Sequence, residues 1–453
     1  MLRKVTLFIA VLALCSITTL NAQDIQRITF DDAVQIALEQ NVALQRAANN
    51  LEFSEIDVDR ARAAYLPNLN FSINGGQNYG RNFSQEDFSF VNQTTTSMRA
   101  QASTGVTLFS GMGRVADNRQ AGYSYDAGDF SYQRQRQQVV FNVMSRYLDL
   151  LERREQIRIQ EENVESQHQQ LAQIEEFTNV GSRPISDLYQ QQANAANAEL
   201  NLINAERFYQ LAEVGLIQVL QLDPFGAYEF VSPTVTDDVL SPESYDVETM
   251  LREAFGKRSD LKAADSDILA AEQGILMARS GISPTLSLSF NTGSSYNDRF
   301  FFGGERVSFS DQFTDQNISS SLGLNLSVPI FNRFQNRTAI QRAKVQYDNA
   351  KLALEDLQQN ISLDVRQAYL DYITAEKTLE VTEKQEISAQ QAFTAAQERY
   401  NVGAATLVEL TQARATLVQA ESDRIQGRYD FIFRKKLIDY YLGKLDPTEQ
   451  LFR

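Results

Sequence analysis

The sequence predicts a mainly α-helical chain with a membrane β-barrel portion, built by internal duplication. Three observations carry this. First, residues 222 apart match: Asn179-Val180-Gly181 falls on Asn401-Val402-Gly403, Tyr147-Leu148-Asp149 on Tyr369-Leu370-Asp371, and Leu188, Ala193 and Glu199 on Leu410, Ala415 and Glu421. Matches of this kind over scores of residues mark a repeated structural unit. Second, in each half a proline is followed by segments that alternate apolar and polar residues with a period of two. Third, each half then carries a long proline-free helical pattern that ends at an Asn-Val-Gly turn.

Taken in order, Arg3 and Lys4 precede an apolar run from Val5 to about Leu20, and Asn21-Ala22 come next. This is the pattern of a secretory signal peptide over residues 1–22, too short for a spanning helix. Cys15 is the only cysteine and faintly resembles a lipidation site, but bulky Leu14 precedes it, and cleavage near Ala22 is the reading adopted. The exported chain then has no disulfide and is held by burial or by assembly. Without Arg3 and Lys4, 40 basic residues face 58 acidic ones, a net charge near −18. Such a surface is a poor partner for nucleic acid, which needs clustered positive charge. No later stretch of 18 residues is apolar, so no transmembrane helix is predicted.

Thr29 caps the first helix, with Asp31 and Asp32 in its positive first turn. The helix breaks near Asn41 and resumes to about Ala64. The second half matches here at an offset of 217, Leu44 onto Leu261 and Pro67 onto Pro284, and the two prolines close these helices.

After Pro67, Leu69, Phe71 and Ile73 alternate with Asn70, Ser72 and Asn74. From Met98 to Phe109 the even positions Met98, Ala100, Ala102, Val106 and Leu108 are apolar. After Pro284, Leu286, Leu288 and Phe290 alternate with Ser287, Ser289 and Asn291. Ile318, Leu322, Leu324, Leu326, Val328 and Ile330 alternate with Ser319, Ser321, Asn325 and Ser327. These are four half-buried strands of about ten residues or somewhat more, the length a tilted strand needs to cross a bilayer. Leu286, Leu288, Phe290, Leu322, Leu324 and Leu326 are the expected lipid-facing set, and the Ser, Thr, Asn and Gln faces suit a wet lumen. Tyr79, Phe83, Phe88 and Phe90, then Tyr296, Phe300, Phe301, Phe302 and Phe309, cluster at the far ends of the strands, as at a membrane interface. Four strands cannot close a barrel and an open edge cannot sit in lipid, so strands must be pooled between chains. Two copies would give eight strands and three would give twelve.

From about Arg114 the helical pattern runs to Phe177, on the order of 95 Å. Val143, Leu150, Ile157, Val164 and Leu171 fall seven apart, and 222 residues on the line reads Val365, Tyr372, Leu379, Glu386 and Phe393, ending at Tyr400. A sustained heptad line signals helices packed side by side in coiled-coil geometry. Return helices occupy about Asp187–Leu220 and Glu409–Leu442. Residues 23–222 and 246–445 thus form two repeats, 223–245 a connector with three of the eight prolines, and 446–453 a tail.

Little chemistry is encoded. His168, the only histidine, lies on a wet helix face, and the lack of a His/Cys cluster or a Ser-His or Cys-His pair gives no metal, cofactor or catalytic residue. No enzyme is expected. An exported coiled-coil structural or adhesive protein without a pore is the alternative; lipid-facing apolar bands separate the two.

The duplicated plan resembles the TolC family of outer-membrane efflux channels. The resemblance rests on Tyr400-Asn401-Val402-Gly403 with Leu407 to Gln412, on Asn179-Val180-Gly181 with Asp187-Leu188, and on Leu326-Ser327-Val328-Pro329-Ile330-Phe331-Asn332. It covers the whole chain after the signal. It implies a homotrimer of a Gram-negative outer membrane, with long antiparallel helical hairpins forming an α-barrel in the periplasm. Four strands per chain would close as a twelve-stranded barrel. It implies a passive exit duct of a tripartite efflux or type I secretion system, working with a periplasmic adaptor and an inner-membrane pump of proton-driven or ABC type. The turns Asn179-Val180-Gly181 and Asn401-Val402-Gly403 would form the periplasmic tip and dock the adaptor. The family's gate link matches Tyr400 and Asp187; its arginine two residues after the second glycine is Ala405 here, with Arg183 placed to substitute. The acidic entrance rings match Glu409 and, without charge, Gln412.

Overall fold

The computed structural model describes residues 26–84, 88–232 and 240–445. The signal segment with Cys15 and Ala22, and the tail 446–453, lie outside the described residues. In chain order the elements are β1 (Gln26–Ile28), α1 (Phe30–Gln40), α2 (Val42–Ala63), β2 (Asn68–Ser84), β3 (Ser89–Ser110), α3 (Gly113–Asn179) and α4 (Ile185–Leu220). The second half supplies β4 (Tyr228–Phe230), α5 (Val247–Lys257), α6 (Ser259–Ser280), β5 (Thr285–Asn297), β6 (Phe301–Phe302), β7 (Glu305–Arg306) and α7 (Phe309–Asp311). It closes with β8 (Ser319–Ser327), α8 (Gln335–Asn401) and α9 (Leu407–Tyr441). The fold is mainly helical. The two long helices are 67 residues each, and α2 and α6 are 22 each, so these helices recur at equal length in the two sequence halves.

Two compact units form, and each draws on both halves. One comprises residues up to Arg46, Gln133–Arg258 and residues from Asn360 onward; the other comprises Ala47–Tyr132 and Ser259–Gln359.

In the first unit, Thr29 caps α1 with a reciprocal box: its hydroxyl accepts from the Asp32 amide at 3.2 Å, and its amide donates to the Asp32 carboxylate at 3.0 Å. The connector carries one short strand among its described residues. Its β4 pairs in parallel with β1, and the buried Tyr147 hydroxyl lies 2.5 Å from the Val231 carbonyl and 3.2 Å from that of Ile28. Short strands without strong alternation left no trace in the residue pattern.

The coiled-coil seam of α8 keeps the expected heptads. Ile361, Val365, Ala368, Tyr372, Ala375, Thr382, Ala389 and Tyr400 are buried, and Leu379, Glu386, Phe393 and Ala396 are half-buried, in steps of four and three. α9 returns antiparallel along this seam. Ala389 packs with Leu417 and Ala420, and the Glu386 carboxylate, the one charge on the heptad line, meets the Arg424 guanidinium at 2.7 Å. α3 and α4 pair likewise, with the buried Gln191 amide donating to the Gln167 side chain at 2.7 Å. α9 also touches α3, where Arg414 donates to Asn163 Oδ1 at 3.3 Å and to the Glu162 carbonyl at 3.3 Å. Burial pushes the Arg414 pKa down, with Glu421 and Glu162 opposing.

In the second unit, the four predicted strands form one antiparallel sheet in the order β2-β3-β5-β8. β2 and β3, at 17 and 22 residues, are longer than the pattern suggests, because their hairpin continues past the segment that pairs with β5. Phe83 and Phe90 stack edge-to-face in that extension, with centroids 5.5 Å apart. One expectation fails locally. A bulge between Thr107 and Phe109 takes Leu108 out of the ladder and sets Phe109 opposite Leu286. An extra residue in one strand reverses the facing of the residues beyond it, which strict alternation cannot register.

Each sheet-to-helix passage uses two successive left-handed residues at the same repeat position: Gly111 and Met112 (φ 59° and 70°), then Arg333 and Phe334 (φ 54° and 63°). Glycine is required at the first site by space as well. A Cβ there would lie 2.3 Å from the Ser283 Cβ.

Candidate functional site

The two helical hairpins turn in the same way. At the end of α3, the Ser182 amide donates to the Phe177 carbonyl at 2.8 Å and the Gly181 amide to Thr178 at 3.0 Å; at the end of α8, Ala404 donates to Arg399 at 2.7 Å and Gly403 to Tyr400 at 3.0 Å. This is the Schellman pattern, which needs a left-handed residue, and Gly181 and Gly403 have φ of 75° and 76°. The pattern leaves Asn179, Val180, Asn401 and Val402 facing solvent, the two valines 78% and 80% exposed.

Beneath the second turn, Ile174, Tyr400, Leu407 and Leu410 form a buried cluster, with Leu188, Phe393, Ala396 and Ala405 packed on it. Tyr400 is 2% exposed. The Arg183 guanidinium lies 4.4 Å from its ring centroid and also donates to the Tyr400 carbonyl at 3.3 Å. The expected Tyr400–Asp187 hydrogen bond is not formed: the Tyr400 hydroxyl is buried with no hydrogen-bond partner among the described residues. The tyrosine is fixed by its ring in an apolar cluster, and the arginine takes the ring face and the carbonyl. Burial raises the Tyr400 pKa, Arg183 opposes this, and the nearby Asp187 carboxylate adds to it.

Asp187 and Glu409 each occupy the third residue of a return helix. Thr406 caps α9, its hydroxyl accepting from the Glu409 amide at 3.2 Å. The Glu409 carboxylate accepts from the Thr406 hydroxyl at 3.3 Å and from Arg399 at 3.2 Å. Gln412 lies about one turn on, exposed at the same end of α9. Sequence reasoning missed Arg399; its place ten residues before Glu409, across the turn, was the available signal.

In the sheet unit, register sorts the faces. Leu286, Leu288 and Phe290 stand opposite Leu326, Leu324 and Leu322, and Val106 and Thr104 stand opposite Leu288 and Phe290. Leu69, Phe71 and Ile73 extend the same face across Ala102 and Ala100. The other face carries Asn70, Ser72, Asn74, Gln101, Ser103, Ser287, Ser289, Asn291, Ser321 and Asn325. Leu322, Leu324 and Leu326 are 62–72% exposed. Burying such a face in another medium is the physical use of this pattern.

Comparison with known proteins decides what this arrangement belongs to. The family model described as outer membrane efflux protein matches residues 33–220 and again 250–433. The chain belongs to that family. Members of the outer membrane efflux protein family reside in the outer membrane, and so does this chain. It is 24% identical over 420 residues to outer membrane protein TolC of Escherichia coli (strain K12), covering 92% of this chain and 82% of that one. It is 25% identical over 416 residues to the pyoverdine export outer membrane protein OpmQ of Pseudomonas putida, covering 87% and 81%. Among solved structures, the outer membrane protein VceC of Vibrio cholerae superposes with a TM-score of 0.77 at 16% identity, over 91% of this chain and 96% of that chain. The twofold family match straddles the connector, where the two sequence repeats also meet.

His168 is paired with Glu199 at 2.9 Å on the facing surfaces of α3 and α4. Among the described residues no group of three His, Cys, Asp or Glu side chains is arranged to hold a metal, and no helix is long and apolar enough to cross a membrane.

Proposed function

We propose that three copies of this chain assemble into the exit duct of a tripartite efflux or type I secretion system. In this reading twelve pooled strands close a barrel in the outer membrane, and the α3–α4 and α8–α9 hairpins line a periplasmic conduit. The observation that carries the reading is the four-stranded sheet. Its apolar residues share one face, and among the described residues its edge strands β2 and β8 have no further partner. Such an edge is intolerable in hydrocarbon, and pooling strands removes it. The helices support the same assembly. Leu200, Ile203, Leu211 and Val214 on α4, and Leu363, Leu370, Val381 and Ile387 on α8, are each more than half exposed and offer apolar surface to neighbouring copies.

The duct is passive. Cargo arrives through a periplasmic adaptor, docked on the two Asn-Val-Gly turns, from a proton-driven or ABC pump. Tyr400 and Arg183 hold the turn end closed, with Asp187 adding only its nearby charge, and Glu409 with Gln412 edges the entrance. The test is reconstitution of the mature protein in planar bilayers. Stepwise ion conductance without any partner is expected; a detergent-free soluble protein that never conducts would favour a pore-less coiled-coil protein instead.

A further inference from the structure

The second hairpin carries a charge arrangement that the first lacks. At the repeat position of Arg399 the first hairpin has Phe177, and at that of Glu409 it has Asp187. Arg399 stands on the last turn of α8 and spans the turn. Its Nη2 donates both to the Ala404 carbonyl at 3.2 Å and to Glu409 Oε2 at 3.2 Å. The other carboxylate oxygen accepts from the Thr406 hydroxyl. Both oxygens of Glu409 are therefore engaged within its own chain. The side chains remain about half exposed, 59% for Arg399 and 49% for Glu409, so the pair faces solvent rather than a core. An exposed pair of this kind adds little to stability, and its effect is on the local field.

We propose that Arg399 is a specificity-determining residue of the entrance. Paired with Glu409, it cancels the negative charge that a carboxylate ring would present, so the opening does not prefer cations. This rests on the reading of the chain as a channel whose entrance carries Glu409. Unpaired carboxylate rings favour cations in pores. Here each carboxylate is matched by a guanidinium from the same hairpin, so the ring is neutral in every copy however many copies assemble. Gln412, about one turn further, adds no charge to restore the preference.

Reversal potentials across a potassium chloride gradient at low ionic strength test this, with wild type, Arg399→Gln, Arg399→Lys, Glu409→Gln and the double variant Arg399→Gln/Glu409→Gln in planar bilayers. Arg399→Gln should raise the cation-to-anion permeability ratio about two- to fivefold, the scale of one unit charge at contact distance in water-like surroundings. Arg399→Lys, which keeps the charge and loses the forked hydrogen bonds, should behave as wild type. Glu409→Gln should shift the ratio toward anions, and the double variant should return to the wild-type value. An Arg399→Gln ratio equal to wild type, or a double variant as displaced as Arg399→Gln alone, overturns the proposal while leaving the channel reading intact. If no form conducts, the channel reading falls and this inference falls with it.

Discussion

The guanidinium of Arg183 stacks 4.4 Å from the centre of the Tyr400 ring and binds the Tyr400 carbonyl, joining the turn before the first return helix to the end of the second long helix. The tyrosine hydroxyl contributes nothing to this link. A partly exposed cation–π contact is worth about 0.5–2 kcal/mol. Arg183→Ala should therefore loosen the turn end and raise single-channel conductance in planar bilayers. Tyr400→Phe removes only a buried unpartnered hydroxyl and should leave conductance unchanged, with stability equal or slightly higher. A larger effect from Tyr400→Phe than from Arg183→Ala would restore the hydroxyl as the latch.

Gly403 needs its left-handed backbone but not empty space, since a Cβ there would meet nothing within 4 Å. Gly403→Val should cost about 1–2 kcal/mol locally, spread over an exposed turn, and leave the barrel assembled. It should abolish export in cells, because the added side chain stands on the surface proposed to dock the adaptor. Unimpaired resistance to exported drugs would remove this turn from the docking surface.

On β8, Leu324 and Asn325 point to opposite faces, opposite Leu288 and Ser287. Leu324→Arg should cost about 2–4 kcal/mol if it lies near the bilayer midplane and should impair assembly. Asn325→Arg should assemble normally and change conductance. Equal assembly of the two variants, by non-reducing gel of the folded protein, would contradict the assignment of faces.

The passages from sheet to helix separate two requirements that coincide at glycine. Gly111→Ala adds a left-handed penalty of about 1–2 kcal/mol and a Cβ that collides with Ser283, so its apparent melting midpoint should fall clearly. Arg333 already bears a left-handed side chain. Arg333→Gly should relieve strain and release chain entropy in opposite directions, leaving the midpoint within a few degrees of wild type. Equal losses for both variants would show that the two passages are not equivalent.

Much of this molecule was legible because its patterns are long. The heptad line through Val365, Tyr372 and Tyr400 and the alternation through Leu322, Leu324 and Leu326 each repeat often enough for residue type alone to fix a face. The features that escaped depend on single residues in three dimensions. The Thr107–Phe109 bulge changes facing without changing composition. The short pairing of β1 with β4 is bridged by Tyr147, which lies 119 residues from Ile28 and 84 from Val231. At the turn end, Arg183 rather than Asp187 engages Tyr400, and Arg399 pairs with Glu409. The Arg183–Tyr400 contact joins two hairpins and depends on their relative rotation, which no local spacing encodes.

The central claim is that four strands per chain are completed by other copies. Native mass spectrometry of the mature protein in mild detergent tests it most directly. A stable trimer, held without disulfides and retaining its strand content by circular dichroism, is the expected result. A monomer with that strand content intact would contradict the account.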